Sequence, residues 1–351
     1  MTRTERSLLG AVGLATVLAG VARYAAGVPH VVAFLFATVA LAGLAWVVSF
    51  ATEQVGMKFG PAPTGLMQST LGNLPEFFVV IFALGAGEKV VAETAILGSI
   101  LVNALLVLGL VIVAGARRSG DGVMRFSPRL PNDTATLLLL ATFIIVLIGL
   151  ANATKDPASR HTQTISIIGA AAILIVYTTW VVQYLSTDQP QQDSPEQPRL
   201  APRISVVLLA VAAVGSAFVS DWFVHALAPT IHTLHISQAF AGLVIVAIAG
   251  NAVEHAAGIA LAHRGRSELA ISIVKNSVAQ IAAFLYPVLV LVSLLTATRL
   301  TFAIAPVYIG ALFGTAVIVW QITGDGEATV FEGAALVATF VILAAVASFE
   351  G

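Results

Sequence analysis

Apolar stretches about as long as a bilayer-spanning helix follow one another along almost all of this 351-residue chain. A helical span needs roughly 20 mostly apolar residues. Eleven segments meet that length: 7–25, 30–50, 64–86, 90–114, 134–151, 163–185, 203–224, 237–262, 268–296, 301–322 and 329–349. Helix is the expected form throughout, because lipid offers no partner to the backbone of an open strand edge. Composition agrees. The chain is 58% hydrophobic and 10% charged, with a mean hydropathy of +0.95, whereas soluble domains carry about 25% charged residues. The sequence therefore predicts an all-α polytopic membrane protein. There is no basic patch to attract nucleic acid. The absence of cysteine excludes disulfides, thiolate metal sites and a cysteine nucleophile. The opening MTRTER and its apolar run resemble a signal peptide. They are read as a retained first span, because many spans and no convincing cleavage site follow.

Residues 186–202, STDQPQQDSPEQPRLAP, interrupt the apolar pattern with four prolines and almost nothing to bury, so they form a linker. The expected units are an N-terminal transmembrane helix (1–28), a first five-helix repeat (29–185), the linker (186–202) and a second five-helix repeat (203–351). An odd number of spans per half inverts one half relative to the other. Lys and Arg set the orientation. With the N-terminus inside, eleven of them fall on the cytoplasmic side: Arg3, Arg6, Lys58, Arg117, Arg118, Arg125, Arg129, Arg199, Arg203, Arg264 and Arg266. Five fall outside: Arg23, Lys89, Lys155, Arg160 and Arg299. The linker is then cytoplasmic, and the cell's inner (cytoplasmic) membrane is the expected location.

One motif occurs in both halves. Gly72-Asn73-Leu74-Pro75-Glu76 and Gly250-Asn251-Ala252-Val253-Glu254 lie 178 positions apart, and the same offset relates Ser99 to Ser277 and Gly87 to Gly265. Each glutamate sits in an apolar segment, where a carboxylate is costly unless it functions or is satisfied by hydrogen bonds. Two matched acids favour function over mere satisfaction. Gly is permissive and Pro removes a backbone donor, so both motifs are expected to break their helices locally and free carbonyl oxygens beside the carboxylates. Asn73 and Asn251 add amide oxygens. Such hard donors suit Ca²⁺, Mn²⁺ or Na⁺ rather than a soft metal.

The neighbouring spans carry polar faces. Ser99 and Asn103 are four apart and Ser277 and Gln280 three apart, so each pair shares a helix face. Ser99 and Ser277 are read as site residues because the repeat offset relates them. For Asn103 and Gln280, ligation and plain interhelical hydrogen bonding stand level. His255 follows Glu254 and is a candidate for the proton path, although it lies on the adjacent helix face. His225, His232 and His235 cluster in what reads as an outer loop, better explained by solvation than by Zn²⁺. Lys275 lies in a span, two residues and about 200° from Ser277. It is expected to face away from the site and to snorkel or pair with an acid.

The segments GNLPEFFVVIFALGAGEKVVAETAILGSILVNALLVLGL and GNAVEHAAGIALAHRGRSELAISIVKNSVAQIAAFLYPVLVL resemble the two alpha-repeats of Ca²⁺/H⁺ antiporters of the cation/Ca²⁺ exchanger superfamily. The Gly-Asn-x-x-Glu-His form of the second motif resembles that branch more than the Na⁺/Ca²⁺ exchangers. The resemblance implies that Glu76 and Glu254 are the central Ca²⁺ carboxylates, alternately loaded with protons, and that Asn73, Asn251, Ser99, Ser277 and Gln280 line the site. The run Lys275-Asn276-Ser277 departs from the apolar-Gly-Ser pattern that Leu97-Gly98-Ser99 keeps. The family's acidic segment between halves is reduced to Asp188, Asp193 and Glu196, which puts in doubt any Ca²⁺ sensing by the linker.

The expected function is export of Ca²⁺ from the cytoplasm in exchange for protons, with ion and protons competing for Glu76 and Glu254. An empty site with two bare charges would be costly, so the protein is expected to change face only when loaded or protonated, by rocking spans about a fixed midplane site. The alternatives are a Na⁺-coupled exchanger or one for Mn²⁺ or another cation, and more distantly a membrane-embedded hydrolase, for which no His-Glu-x-x-His exists. A non-transporting scaffold would have no reason to keep two matched acids. The implied partners are Ca²⁺, protons and membrane lipid, with no nucleic acid and no cofactor, Ca²⁺ being cargo. The sequence sets no oligomeric state.

Overall fold

The computed structural model describes residues 1–56, 66–67, 70–186 and 199–350. Among the described residues eleven main helices run in chain order: α1 (Arg3–Tyr24), α2 (His30–Gly56), α3 (Leu74–Gly85), α4 (Lys89–Arg118), α5 (Arg129–Ala153), α6 (Thr162–Ser186), α7 (Pro202–Leu234), α8 (Gln238–His263), α9 (Ser267–Leu295), α10 (Pro306–Thr323) and α11 (Val330–Ser348). All but α3 are long and apolar enough to cross a membrane. The third segment is interrupted: residues 70–72 are helical, Asn73 is a turn, and the helix resumes at Leu74 with Pro75 in its first turn. Lys58, the start of that segment, and linker residues 187–198 with Asp188, Asp193 and Glu196 lie outside the described residues.

Contacts at the helix ends sort into two faces. At one, the Arg199 guanidinium lies 2.6 Å from Glu5 Oε1 and its backbone N–H donates to Gln54 Oε1 at 2.7 Å. This joins the start of α1, the end of α2 and the approach to α7. By alternation along the chain, the same face carries two three-residue strands, β1 (Val123–Arg125) and β2 (Glu327–Thr329), paired antiparallel with Val123 opposite Thr329. The backbone N–H of Ser127 donates to Glu268 Oε2 at 2.8 Å, bringing in the start of α9. At the opposite face, Gln238 Nε2 donates to Glu88 Oε2 at 3.2 Å, the Ser237 hydroxyl to the Ala347 carbonyl at 2.5 Å, and the Tyr308 hydroxyl to Glu350 Oε2 at 2.5 Å. Thus α3 leaves the N-terminal face while α8 returns to it, the inverted relation that odd-numbered halves require. The β1–β2 pair lies in the loops, and the membrane-spanning part is all-α as expected. Two loops from different halves meet at one face, and pairing satisfies backbone groups that neither loop satisfies alone.

Burial locates the centre. In α4 and α9 the central windows are 83% and 67% buried, against 11% in α1. Lipid gives helices no hydrophobic reason to associate, so close packing and hydrogen bonds hold the centre together. Gly98 on α4 illustrates this: a Cβ there would stand 2.6 Å from the Cα of Leu243 on α8. Three π-helical turns mark the same region: Val102–Val107 in α4, Ala241–Val246 in α8 and Ile281–Leu285 in α9. Val102 and Gln280 are related by the 178-residue offset, so the turns in α4 and α9 occupy matching places in the two halves. Such bulges re-aim side chains where a regular helix would not.

The seventh span differs from the sequence reading. It runs to Leu234 through Pro229, so His225 and His232 stand on a helix and His235 caps it in the left-handed conformation (φ 54°). The expected histidine-bearing loop does not exist. Pro229 comes four residues after His225, and the residues around it (Ala226-Leu227-Ala228 and Thr230-Ile231) remain compatible with helix. Among the described residues no group of three or more His, Asp or Glu side chains is placed to hold a metal.

Candidate ion-binding site

The two motifs meet through their glycines. A Cβ on Gly72 would lie 3.0 Å from Glu254 Oε1, and a Cβ on Gly250 would lie 2.9 Å from Glu76 Cγ. Each glycine therefore makes room for the glutamate of the other motif. This reciprocity fixes the two carboxylates at the crossing of α3 and α8. Glu76 is 5% exposed, in the first turn of α3, where unpaired N–H groups and the helix dipole favour a negative charge. Glu254 lies mid-helix in α8 and is half-buried.

Around Glu76 the hydrogen bonds come from three helices. The Ser99 hydroxyl on α4 donates to Glu76 Oε1 at 2.5 Å, and the side-chain amide of Asn251 on α8 donates to the same oxygen. Asn251 Nδ2 also approaches Ser99 Oγ at 3.2 Å and its own helix at Ala247 O, 3.1 Å away. Asn103 Nδ2 is turned back to the Ser99 carbonyl at 2.9 Å. On the other side, Ser277 of α9 stands beside Glu254, the counterpart of Ser99 beside Glu76. Glu76 and Glu254 are close enough to repel when both are charged.

Several buried oxygens here have no hydrogen-bond partner: Asn73 Oδ1, Glu76 Oε2, Asn103 Oδ1, Glu254 Oε2 and Gln280 Oε1. Buried acceptors are normally satisfied, and five hard oxygens left open in one region form a donor set for a hard cation. A small cavity of about 10 Å³ touches Glu76 and Ser99, about the room of one water-sized particle. With two carboxylates and otherwise neutral oxygens, the arrangement can exchange a small cation for protons.

The structure brings Glu76, Ser99 and Asn251 into direct contact, with Glu254 and Ser277 facing them. Asn73, Asn103 and Gln280 are buried at 3%, 0% and 1% exposure. Three expectations need correction. The second motif does not break its helix: Ala247–His263 is continuous, because Val253 stands where the first motif has Pro75 and every backbone donor is retained. His255 is buried, but its Nε2 has no partner and no hydrogen bond links it to either glutamate; one residue along a helix turns it about 100° away. Lys275 does turn away from the carboxylates, yet it neither snorkels nor pairs with an acid. It is 1% exposed, and Nζ lies 3.3 Å from the Thr323 hydroxyl at the end of α10. There the C-terminal carbonyls of α10 supply the negative end of a helix dipole.

Sequence reasoning missed two supports. Ser220 of α7 donates to the Pro75 carbonyl at 3.4 Å, at the helix break. Gly242 of α8 packs against Thr94 and Val91 of α4, complementing Gly98. Glycines inside apolar spans were the available signal for the second; a lone serine on an apolar helix gave none for the first.

The sodium/calcium exchanger protein family model matches residues 29–185 and 204–349. The chain is 33% identical over 326 residues to a vacuolar calcium ion transporter of Schizosaccharomyces pombe, covering 88% of this chain and 77% of that protein. It is 30% identical over 323 residues to the Ca²⁺/H⁺ antiporter ChaA of Bacillus subtilis, covering 90% of this chain and 92% of that protein. The solved structure of native YfkE superposes with a TM-score of 0.79 at 27% identity, covering 97% of this chain and 98% of that one. Taken with the paired acid motifs and the inverted bundle, these likenesses settle the family: the chain belongs to the sodium/calcium exchanger protein family, within its Ca²⁺/H⁺ antiporter branch.

Proposed function

We propose that this membrane protein exchanges Ca²⁺ for protons, with ion and protons competing for Glu76 and Glu254. The observation that carries the reading is the reciprocal packing of the two acid motifs, which holds two carboxylates and several unpartnered oxygens at one crossing. The relatives that are named a Ca²⁺/H⁺ antiporter and a calcium ion transporter support it. Ca²⁺ is the cargo in this reading, not a resident cofactor. Asn73, Asn251, Ser99, Ser277, Gln280 and Asn103 supply neutral oxygens around the carboxylates. The Ser99 and Asn251 donors now directed at Glu76 must rotate to offer oxygens when a cation arrives. Protons neutralise the same carboxylates, so a loaded site and a protonated site both avoid two bare charges in a low-dielectric bundle. His255 lacks a bonded route to the carboxylates and is left out of the proton path.

The domain reading is 1–28 as a peripheral helix, 29–185 and 203–351 as inverted repeats, and 186–202 as the linker between them. The match to residues 29–185 and 204–349 supports these boundaries. The N-terminal face is cytoplasmic in this reading, supported by the eleven-to-five bias of Lys and Arg. Transport would then carry Ca²⁺ out of the cytoplasm across the inner membrane.

The test is Ca²⁺ flux in proteoliposomes under an imposed pH gradient, with and without a Na⁺ gradient. Flux driven by pH alone is the expected result, and flux that requires Na⁺ overturns the proton coupling. Direct competition also sets the pH dependence of Ca²⁺ binding, because the ligands must lose their protons. Affinity falls about tenfold per pH unit for each proton displaced. A flat affinity between about pH 5 and 8 excludes competition at these carboxylates in that range.

A further inference from the structure

A cavity of about 440 Å³ lies toward the face opposite the N-terminus, and neither carboxylate lines it. It is formed by the last turn of α1, the turn before α2 and the middle of α7, and its polar side chains are Arg23, His30, Trp222 and His225. Two of these carry an unanswered donor. Arg23 Nε and Trp222 Nε1 are buried and have no hydrogen-bond partner. The Arg23 guanidinium has a ring contact, 5.3 Å from the centre of Tyr24, but a ring face does not replace an acceptor in the guanidinium plane. No carboxylate lines the cavity; Asp221, next to Trp222 in sequence, is not part of its wall. The first N–H groups of α2, at His30 and the following residue, begin the helix at the cavity edge.

We infer that this cavity binds a phosphate-bearing anion, through Arg23 and Trp222 with His30 and His225 at its rim. A guanidinium fork and an indole N–H are donors only, so the complementary ligand is one made of acceptors. The volume falls in the range of small-molecule sites. Two sources share this chemistry: the phosphodiester headgroup of an anionic phospholipid, and free inorganic phosphate. The level of the cavity suits the first. Tyr24 is 74% exposed, and Tyr24 and Trp222 rings meet edge to face at 6.3 Å, the aromatic signature of a membrane–water boundary. A bound headgroup would join α1 to α2 and α7, the opening helices of the two halves.

The test is a binding titration of the full chain in non-ionic detergent with short-chain phosphatidylglycerol and, separately, with inorganic phosphate. Arg23→Gln should weaken binding at least about tenfold, the effect of a charge-assisted hydrogen bond. Trp222→Phe, which keeps the ring and removes the N–H, should weaken it by a smaller factor, and it reads the same contact if Arg23→Gln does not fold. Saturable binding of phosphatidylglycerol alone identifies a lipid site, and binding of both probes identifies a free-anion site; either result, with loss in the variants, supports the inference. Saturable binding of neither probe, or equal affinity in wild type and both variants, overturns it.

Discussion

At the scale of single residues, the site depends on two carboxylates and on the two glycines that admit them. Glu76→Gln and Glu254→Gln each remove a charge and a proton carrier at nearly constant volume. Each variant should fold, as judged by gel filtration, and show no pH-driven Ca²⁺ flux in proteoliposomes; wild-type flux in either would remove that residue from the mechanism. Gly250 makes a finer probe, because it is not a ligand. Its added Cβ would sit 2.9 Å from Glu76 Cγ, closer than carbon atoms pack. Gly250→Ala should therefore displace Glu76 and lower Ca²⁺ affinity at least about tenfold, the scale of a lost well-oriented charged ligand. Unchanged affinity would mean that the α3–α8 crossing is looser than described.

At the scale of elements, packing between helices decides more than helix propensity. Gly98 and Gly242 let α4 and α8 approach until backbone meets backbone. A methyl at Gly98 faces the Leu243 main chain, which cannot rotate away as a side chain can. Gly98→Ala should cost about 1–3 kcal/mol, read as a lowered thermal midpoint in detergent, and a neutral result would refute the contact. The β1–β2 pair is a weaker joint. Arg125 Nη1 lies 2.6 Å from Asp121 Oδ2, and its Nε lies 3.1 Å from Glu327 Oε1, all well exposed. The hydrogen bond from Arg125 holds the Asp121 carboxyl below its usual range, and Asp121 in turn raises the Arg125 guanidinium. A depressed carboxylate stabilises the fold above its unfolded value near pH 4 and loses that contribution as pH falls through the folded value. Arg125→Gln should thus lower the thermal midpoint slightly at pH 7 and not at a pH low enough to protonate Asp121 in the folded protein. A difference that persists at low pH would show that the ion pair is not its source.

At the scale of the whole molecule, alternation of the eleven helices places Arg264 and Lys155 on opposite faces. Both are exposed, and the chain has no cysteine of its own, so single cysteines report cleanly. In right-side-out vesicles, Lys155→Cys should react with an impermeant maleimide and Arg264→Cys only after permeabilisation. The reverse pattern would invert the proposed orientation, and equal labelling from one side would break the helix count. The same alternation gives α3 and α8 opposite directions, so the two acid motifs approach the centre from opposite faces.

Much of this was legible in the sequence because it depends on short-range properties. Span length follows from runs of apolar residues: ten of the eleven segments recur as spanning helices with only their ends moved, and the third recurs as α3 with a break at Asn73. The duplicated Gly-Asn-x-x-Glu pattern and its 178-residue offset by themselves single out the carboxylates and pair Ser99 with Ser277. Contact across the bundle is a different matter, since it depends on which faces meet. Only the tertiary structure pairs Gly72 with Glu254 and Gly250 with Glu76, turns Asn251 onto Glu76, and leaves His255 without a link to either acid. Only it sends Lys275 to the Thr323 hydroxyl rather than to an acid, and carries α7 past His225 and His232 to Leu234. The physical reason is common to these cases. In lipid the apolar pattern fixes that a segment is a helix, while hydrogen bonds and small-residue contacts between helices fix its rotation, its breaks and its partners.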